Sequence, residues 1–255
     1  MLSGVFGVTP MISQWLLKKA KRKLNRVFLR NGIIPAEHNF GAAAPPIVGH
    51  NALVFDTIYD TGYWGVEESR SGPGSSVDHT KKYRMQLLKF LNDFGAGSMF
   101  DAPCGDLNWM RILLQEKNIS YIGGDISDVA LAIARERRPD LDIRHFDICS
   151  DPFPDCDVWH CRECLQHLSL ADAKAALENF SRSSIPYAII TTMKIRWPRR
   201  NSDIASGGFR PLDLELAPIS LPPPIKRAPE ERKSSGVPTF VGVWRRDQIA
   251  SAINK

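Results

Sequence analysis

Apolar positions along the chain alternate between short runs and helical stripes. Ser98, Met99 and Phe100 form a short uncharged run suited to a buried parallel strand, which Asp101 ends. Leu107, Met110, Leu113 and Leu114 then recur at helical spacing through Gln115, which predicts a helix with Asp106 as its N-cap. Tyr121 and Ile122 begin a second buried strand with Asp125 at its carboxyl end. A helix over 127–136, a strand over 141–146 ending at Asp147, a strand over 157–161, a helix over 172–181 and a strand over 186–192 continue the alternation. Upstream, a Gly, Ser and Pro loop over 69–76 precedes a helix over 79–92, with Tyr83, Leu87, Leu88 and Leu91 inward. Downstream, PTFVGVWRR alternates as a late antiparallel strand around Phe240 to Trp244. Strands alternating with helices predict an α/β fold built on a mostly parallel sheet.

The N-terminal segment has a different pattern. Ile12, Leu16, Ala20, Leu24 and Phe28 fall on one helical stripe surrounded by Lys18, Lys19, Lys21, Arg22, Lys23 and Arg26, and the helix stops near Asn31 and Gly32. The charges follow the apolar residues rather than preceding them, unlike a secretory signal. Residues 11–30 therefore read either as a helix for an anionic membrane surface or as a stripe that packs on the domain. The expected layout is a basic amphipathic extension over 1–34, a linker over 35–54 and one domain over 55–255.

Charge sharpens this division. Residues 1–40 hold seven basic and one acidic side chain, residues 41–193 fourteen and twenty-one, and residues 194–255 twelve and six. The centre is acidic, which argues against a broad nucleic-acid face, and basic character sits at the ends. No uncharged run approaches the roughly 20 residues of a membrane span. The odd set of Cys104, Cys149, Cys156, Cys161 and Cys164 clusters in the expected core rather than forming a disulfide framework, as suits a reducing cytoplasm.

The turn DAPCGD, residues 101–106, carries the candidate chemistry. It lacks the G-x-G-x-x-G that rests a pyrophosphate on bare backbone amides, and its two carboxylates would repel one. They suit a ligand with a sulfonium, an ammonium and ribose hydroxyls, and S-adenosylmethionine has all three. The segment through Asp125 resembles motif I and the following acidic motif of the class I S-adenosylmethionine-dependent methyltransferases, with D-x-P-C-G-D replacing the commoner glycine-rich form. The resemblance spans roughly residues 55–250. It implies a Rossmann-like doubly wound seven-stranded sheet after an N-terminal helical extension. It also implies S-adenosylmethionine as cofactor, held by Asp101, Ala102, Cys104, Gly105, Asp106, Asp125 and Ile126, with Asp147 and Ile148 at the adenine. Arg84, on the segment that covers the cofactor in such enzymes, is the candidate for the methionyl carboxylate, and Arg70 or the loop amides are alternatives.

CRECLQHLS, after the fourth strand, resembles the R-D-x-L-x-H-L-S motif that faces the transferred methyl, with Glu163 in place of Asp. Arg162, Glu163 and His167 are the polar candidates nearest the reaction, and His167 is the preferred base because imidazole titrates near neutrality. His167 capping the next helix, or simply hydrogen-bonded in the core, is the competing reading. His160, Cys161, Cys164 and His167 also suggest a metal site, against which stand the diverging side chains of a strand and the missing second C-x-x-C. The long irregular stretch past Lys194 offers Arg196, Trp197 and Arg210 to an acceptor, while Trp64 and Trp109 are candidate pocket walls.

The resulting expectation is O-methylation of a small or carbohydrate-type hydroxyl acceptor, lipid-linked if residues 11–30 bind membrane, in the cytoplasm or at its inner membrane surface. Rivals are a protein or RNA methyltransferase, with nucleic acid disfavoured by the acidic centre; a non-catalytic nucleoside-binding membrane-associated protein; and an NAD-dependent oxidoreductase, disfavoured by the missing glycines.

Overall fold

A computed structural model describes residues 51–65, 68–197, 199–230 and 236–253. The expected basic helix over 11–30 and most of the expected linker lie outside the described residues. In chain order the elements are α1 (Asn51–Thr61), α2 (Lys81–Asp93), β1 (Ser98–Asp101), α3 (Met110–Glu116), β2 (Ser120–Asp125), α4 (Asp128–Arg137), β3 (Asp142–His145), β4 (Val158–Cys161), α5 (Leu170–Ser181), β5 (Tyr187–Met193), β6 (Lys226–Pro229), β7 (Thr239–Arg245) and α6 (Arg246–Ile253).

One seven-stranded sheet runs β3-β2-β1-β4-β5-β7-β6 through the described residues. Strands β1 to β5 pair in parallel, and β7 returns antiparallel beside β5. Strand residues alternate between two apolar layers, as the pleat requires. Met99, Val158 and Ile189 face Leu87, Leu91 and Leu113, whereas Phe100, Trp159 and Ile190 face Ala176, Phe180 and Ile249. Helices therefore cover both faces, which is the doubly wound Rossmann-like architecture expected. The strand order reverses between β1 and β4, so the crevice lies at their carboxyl ends.

Several local expectations are corrected. Leu107 has φ of 56° and lies outside the helix, which begins at Met110 after a Trp109 N-cap that makes no side-chain cap bond. Asp106 is thus not the N-cap, because its carboxylate is engaged elsewhere. Helix α1 begins at Asn51, taking in the last positions of the expected linker, and buries Val54, Phe55, Ile58 and Tyr59. Strand β6 has a mostly exposed KRAP sequence with no apolar alternation, and it joins the sheet by pairing with β7. The irregular stretch past Lys194 is packed rather than open, with Leu212, Leu214, Ile219 and Leu221 in the core.

Two glycines on β2 and the first turn permit close approaches that a larger residue would prevent. A Cβ at Gly124 would come within 2.9 Å of both Phe100 and Phe146. At Gly105, where φ is +58°, it would come within 2.6 Å of Ser71 Oγ and 3.0 Å of the Tyr59 hydroxyl.

Candidate active site

The carboxyl edge of the parallel strands gathers the acidic tips. Asp101 ends β1, Asp125 ends β2, Asp147 lies just past β3, and residues 162–168 leave β4. Asp101, Asp125, Asp147, Arg162, Glu163 and His167 line a cleft that opens to solvent. Phe55, Tyr59, Trp64 and Trp109 add aromatic walls, as expected of the two tryptophans.

Asp101 is buried in a chain of polar groups. Its carboxylate accepts from the Tyr121 hydroxyl at 2.7 Å and meets His160 Nδ1 at 2.5 Å, while His160 Nε2 lies 2.7 Å from the Tyr83 hydroxyl. Nδ1–H donating to the carboxylate and Tyr83 donating to Nε2 satisfies all four groups. Asp125 receives the Gly105 and Ser127 amides, each at 2.9 Å. Burial raises its pKa to about 6, against the lowering effect of those two amides. Asp147 accepts the Cys149 amide at 2.8 Å, with Ile126 and Ile148 beside it in the cleft. Cys104 also lines the cleft, and burial, followed by the Asp125 charge, pushes its thiol well above its usual range.

Asp106 fastens the loop over this turn. It accepts from Ser69 Oγ at 3.0 Å, the Arg70 amide at 2.9 Å, Ser71 Oγ at 3.3 Å and the Asn108 amide at 3.2 Å, and pairs with Arg137 at 3.1 Å. A residue with that many donors closes the glycine-rich loop onto the motif and is not available to start α3. Ala102 is buried and does not line the cleft; its carbonyl accepts from Trp159 Nε1 at 2.9 Å.

The segment after β4 holds the remaining candidates. Arg162 is buried, donating through Nε to Glu230 at 2.8 Å and through Nη2 to the Gly74 carbonyl at 3.0 Å. Burial alone would lower its pKa, but the Glu230 and Glu163 charges hold it above its usual value. Glu163 adopts φ of 56° and accepts from Gln166 Nε2 at 2.7 Å. His167 sits in the turn Leu165–His167, with its ring 4.9 Å from Trp64 and 5.6 Å from Phe209. Its Nδ1 lies 2.7 Å from the Gly208 carbonyl, which accepts its proton and holds the ring in place. Helix α5 is capped instead by Ser169, so His167 is not the cap.

Two arginines lie elsewhere than expected. Arg84 Nη1 donates to the Val77 carbonyl at 2.7 Å and Thr80 Oγ1 at 2.8 Å, and Arg84 does not line the cleft. Arg210 is fully buried and donates to the Leu168 carbonyl at 2.6 Å, bracing the His167 turn instead of meeting an acceptor. Arg196 and Trp197 are exposed outside the cleft. The described residues contain no group of three His, Cys, Asp or Glu side chains that could hold a metal. Among them, no helix is long and apolar enough to cross a membrane.

Residues 99–186 match a family model described as a methyltransferase domain. This segment is similar to a methyltransferase domain. The fold is similar to that of Burkholderia thailandensis 1,6-didemethyltoxoflavin-N1-methyltransferase, solved with 1,6-didemethyltoxoflavin and S-adenosylhomocysteine. The TM-score is 0.56 at 16% identity, covering 80% of this chain and 92% of that one. It is also similar to the N-methyltransferase NodS from Bradyrhizobium japonicum WM9 in complex with S-adenosylhomocysteine, with a TM-score of 0.55 at 13% identity over 74% and 98% of the two chains. At such identities the likeness establishes the fold. A search of the curated proteins gives no match.

Sequence reasoning anticipated the strand-tip acids and the segment after β4, but it missed His160 as the partner of Asp101, Tyr59 as a pocket wall, and Glu230. Glu230 lies 68 residues from Arg162, and nothing in the local pattern around it marks the pairing.

Proposed function

We propose that this methyltransferase uses S-adenosylmethionine to methylate a hydroxyl on a small or carbohydrate-type acceptor. The observation that carries the reading is the imidazole of His167, held through Nδ1 by the Gly208 carbonyl at the cleft with aromatic rings beside it. Asp125 would hold the ribose hydroxyls, while Ile126, Asp147 and Ile148 would frame the adenine. Asp101, Cys104, Gly105 and Asp106 form the turn beneath the methionyl part, and the close approach of loop and turn at Gly105 leaves no room for a larger side chain. These groups fit a cationic adenosyl ligand better than a pyrophosphate. The cofactor supplies an electrophilic methyl on sulfur. His167 Nε2 accepts the acceptor's hydroxyl proton, and Glu163 and Arg162 orient the acceptor or cofactor beside it. Trp64, Phe55 and Tyr59 offer flat apolar surfaces of the kind that stack on sugar rings. The acceptor is lipid-linked if residues 11–30 hold the protein on an anionic membrane.

The test is incubation of the full chain with methyl-labelled S-adenosylmethionine and fractionated cell extract. Label in a base-stable methyl ether of a glycan or small molecule is the expected result. Label confined to amines, protein or RNA would refute O-methylation, and no incorporation from any fraction would favour a non-catalytic binding protein.

A further inference from the structure

The acidic tips at Asp147, Asp125 and Asp101 follow the sheet order β3, β2, β1, and Arg162 follows β4, the next strand along. Three strand spacings of about 4.8 Å separate the first from the last. A ligand whose adenine lies at Asp147 and ribose at Asp125 therefore directs its amino-acid end toward Arg162. Arg162 is the only lysine or arginine among the described residues that line the cleft. It is 7% exposed, yet its Nη1 makes no hydrogen bond among the described residues. The rest of the guanidinium is immobilised. Nη2 lies 2.5 Å from Glu230, and the group stacks over the Tyr83 ring at 4.8 Å and the Trp109 ring at 5.3 Å. A buried, preoriented cation with one open nitrogen is a receptor for an anion.

We propose that Arg162 receives the carboxylate of the cofactor's methionyl group and that Glu230, from the end of β6, is its positioning residue. This rests on S-adenosylmethionine being the cofactor. Arg84 cannot take that role from its present position, since it is spent on Val77 and Thr80 away from the cleft. The neighbouring carboxylates of Asp101 and Glu163 suit the ammonium of the same group, so the site matches both charges of a zwitterion. The clamp also joins three separate parts of the chain: the loop at Gly74, the segment after β4 and the β6 edge.

The test compares two ligands by calorimetry on the full chain. S-adenosylhomocysteine carries the carboxylate, and its decarboxylated analogue S-adenosyl-3-thiopropylamine keeps the amine but lacks it. Arg162→Gln is expected to weaken S-adenosylhomocysteine by roughly 10- to 100-fold, the range of a charge-assisted bond, and the analogue by less than about threefold. Glu230→Gln is expected to give a smaller loss with the same selectivity, because the guanidinium remains but is no longer held. The double variant Arg162→Gln with Glu230→Gln leaves no buried charge unpaired and tests the same contrast if the single variant does not fold. Equal losses for both ligands, or no loss for either, would overturn the proposal. Unchanged S-adenosylhomocysteine binding with a raised acceptor KM would overturn it too, and would give Arg162 to the acceptor. Wild-type protein that bound neither ligand would remove the cofactor assignment and the proposal with it.

Discussion

Single residues in this protein hold their roles through partners far away in sequence. His167 is oriented by the Gly208 carbonyl and Asp101 by Tyr121 and His160. His167→Gln is expected to lower kcat by roughly 10²- to 10⁴-fold, the usual worth of a positioned base, while S-adenosylhomocysteine affinity stays within about twofold. Stopped-flow turnover and calorimetry separate the two; unchanged kcat would remove the base. Asp125 makes a pH-dependent prediction. Its pKa is raised by burial from 3.8 to about 6, so between those values the folded state binds more protons than the unfolded one. Its contribution to stability is therefore highest below about pH 4 and is lost as pH rises through about 6, by at most about 3 kcal/mol. Denaturant titrations of wild type and Asp125→Asn across that window should diverge in this direction, the wild type losing ground as pH rises. Ribose hydroxyls donate to the ionised form, so wild-type cofactor affinity should rise over the same window.

At the scale of elements, caps and anchors decide where the pieces meet. Ser127 caps α4 by accepting the Ala130 amide at 3.2 Å and donates to Asp56 of α1 at 2.8 Å. Ser127→Ala is expected to cost about 1–2 kcal/mol, read as a lower denaturation midpoint with an unchanged slope. The central strands were legible because Met99–Phe100, Val158–Trp159 and Ile189–Ile190 are apolar runs buried on both faces. β6 was not, since an edge strand paired on one side carries no such run. The start of α3 was misjudged for a related reason. Asp106 has the chemistry of a cap, but loop 69–71 and Arg137 supply better donors from elsewhere in the chain.

For the whole molecule, charge and topology divide the work. The acidic centre supplies the five parallel strands whose carboxyl edge opens on the cleft, while the basic ends of the sequence lie to either side of it in the chain. If residues 11–30 bind an anionic surface, full-length protein should float with phosphatidylglycerol vesicles and protein lacking residues 1–32 should not; equal recovery would exclude the anchor. Periodicity, the small turn residues and the acids at strand ends were enough to determine the α/β class and the strand-tip crevice, because each depends on neighbours within a few positions. The pairing of Arg162 with Glu230, the bracing of the His167 turn by Arg210 and the displacement of Arg84 from the cleft were decided only by the tertiary structure. Each of those contacts closes a loop of 40 or more residues or spends a side chain on a nearby carbonyl, and the local pattern carries no record of which partner wins.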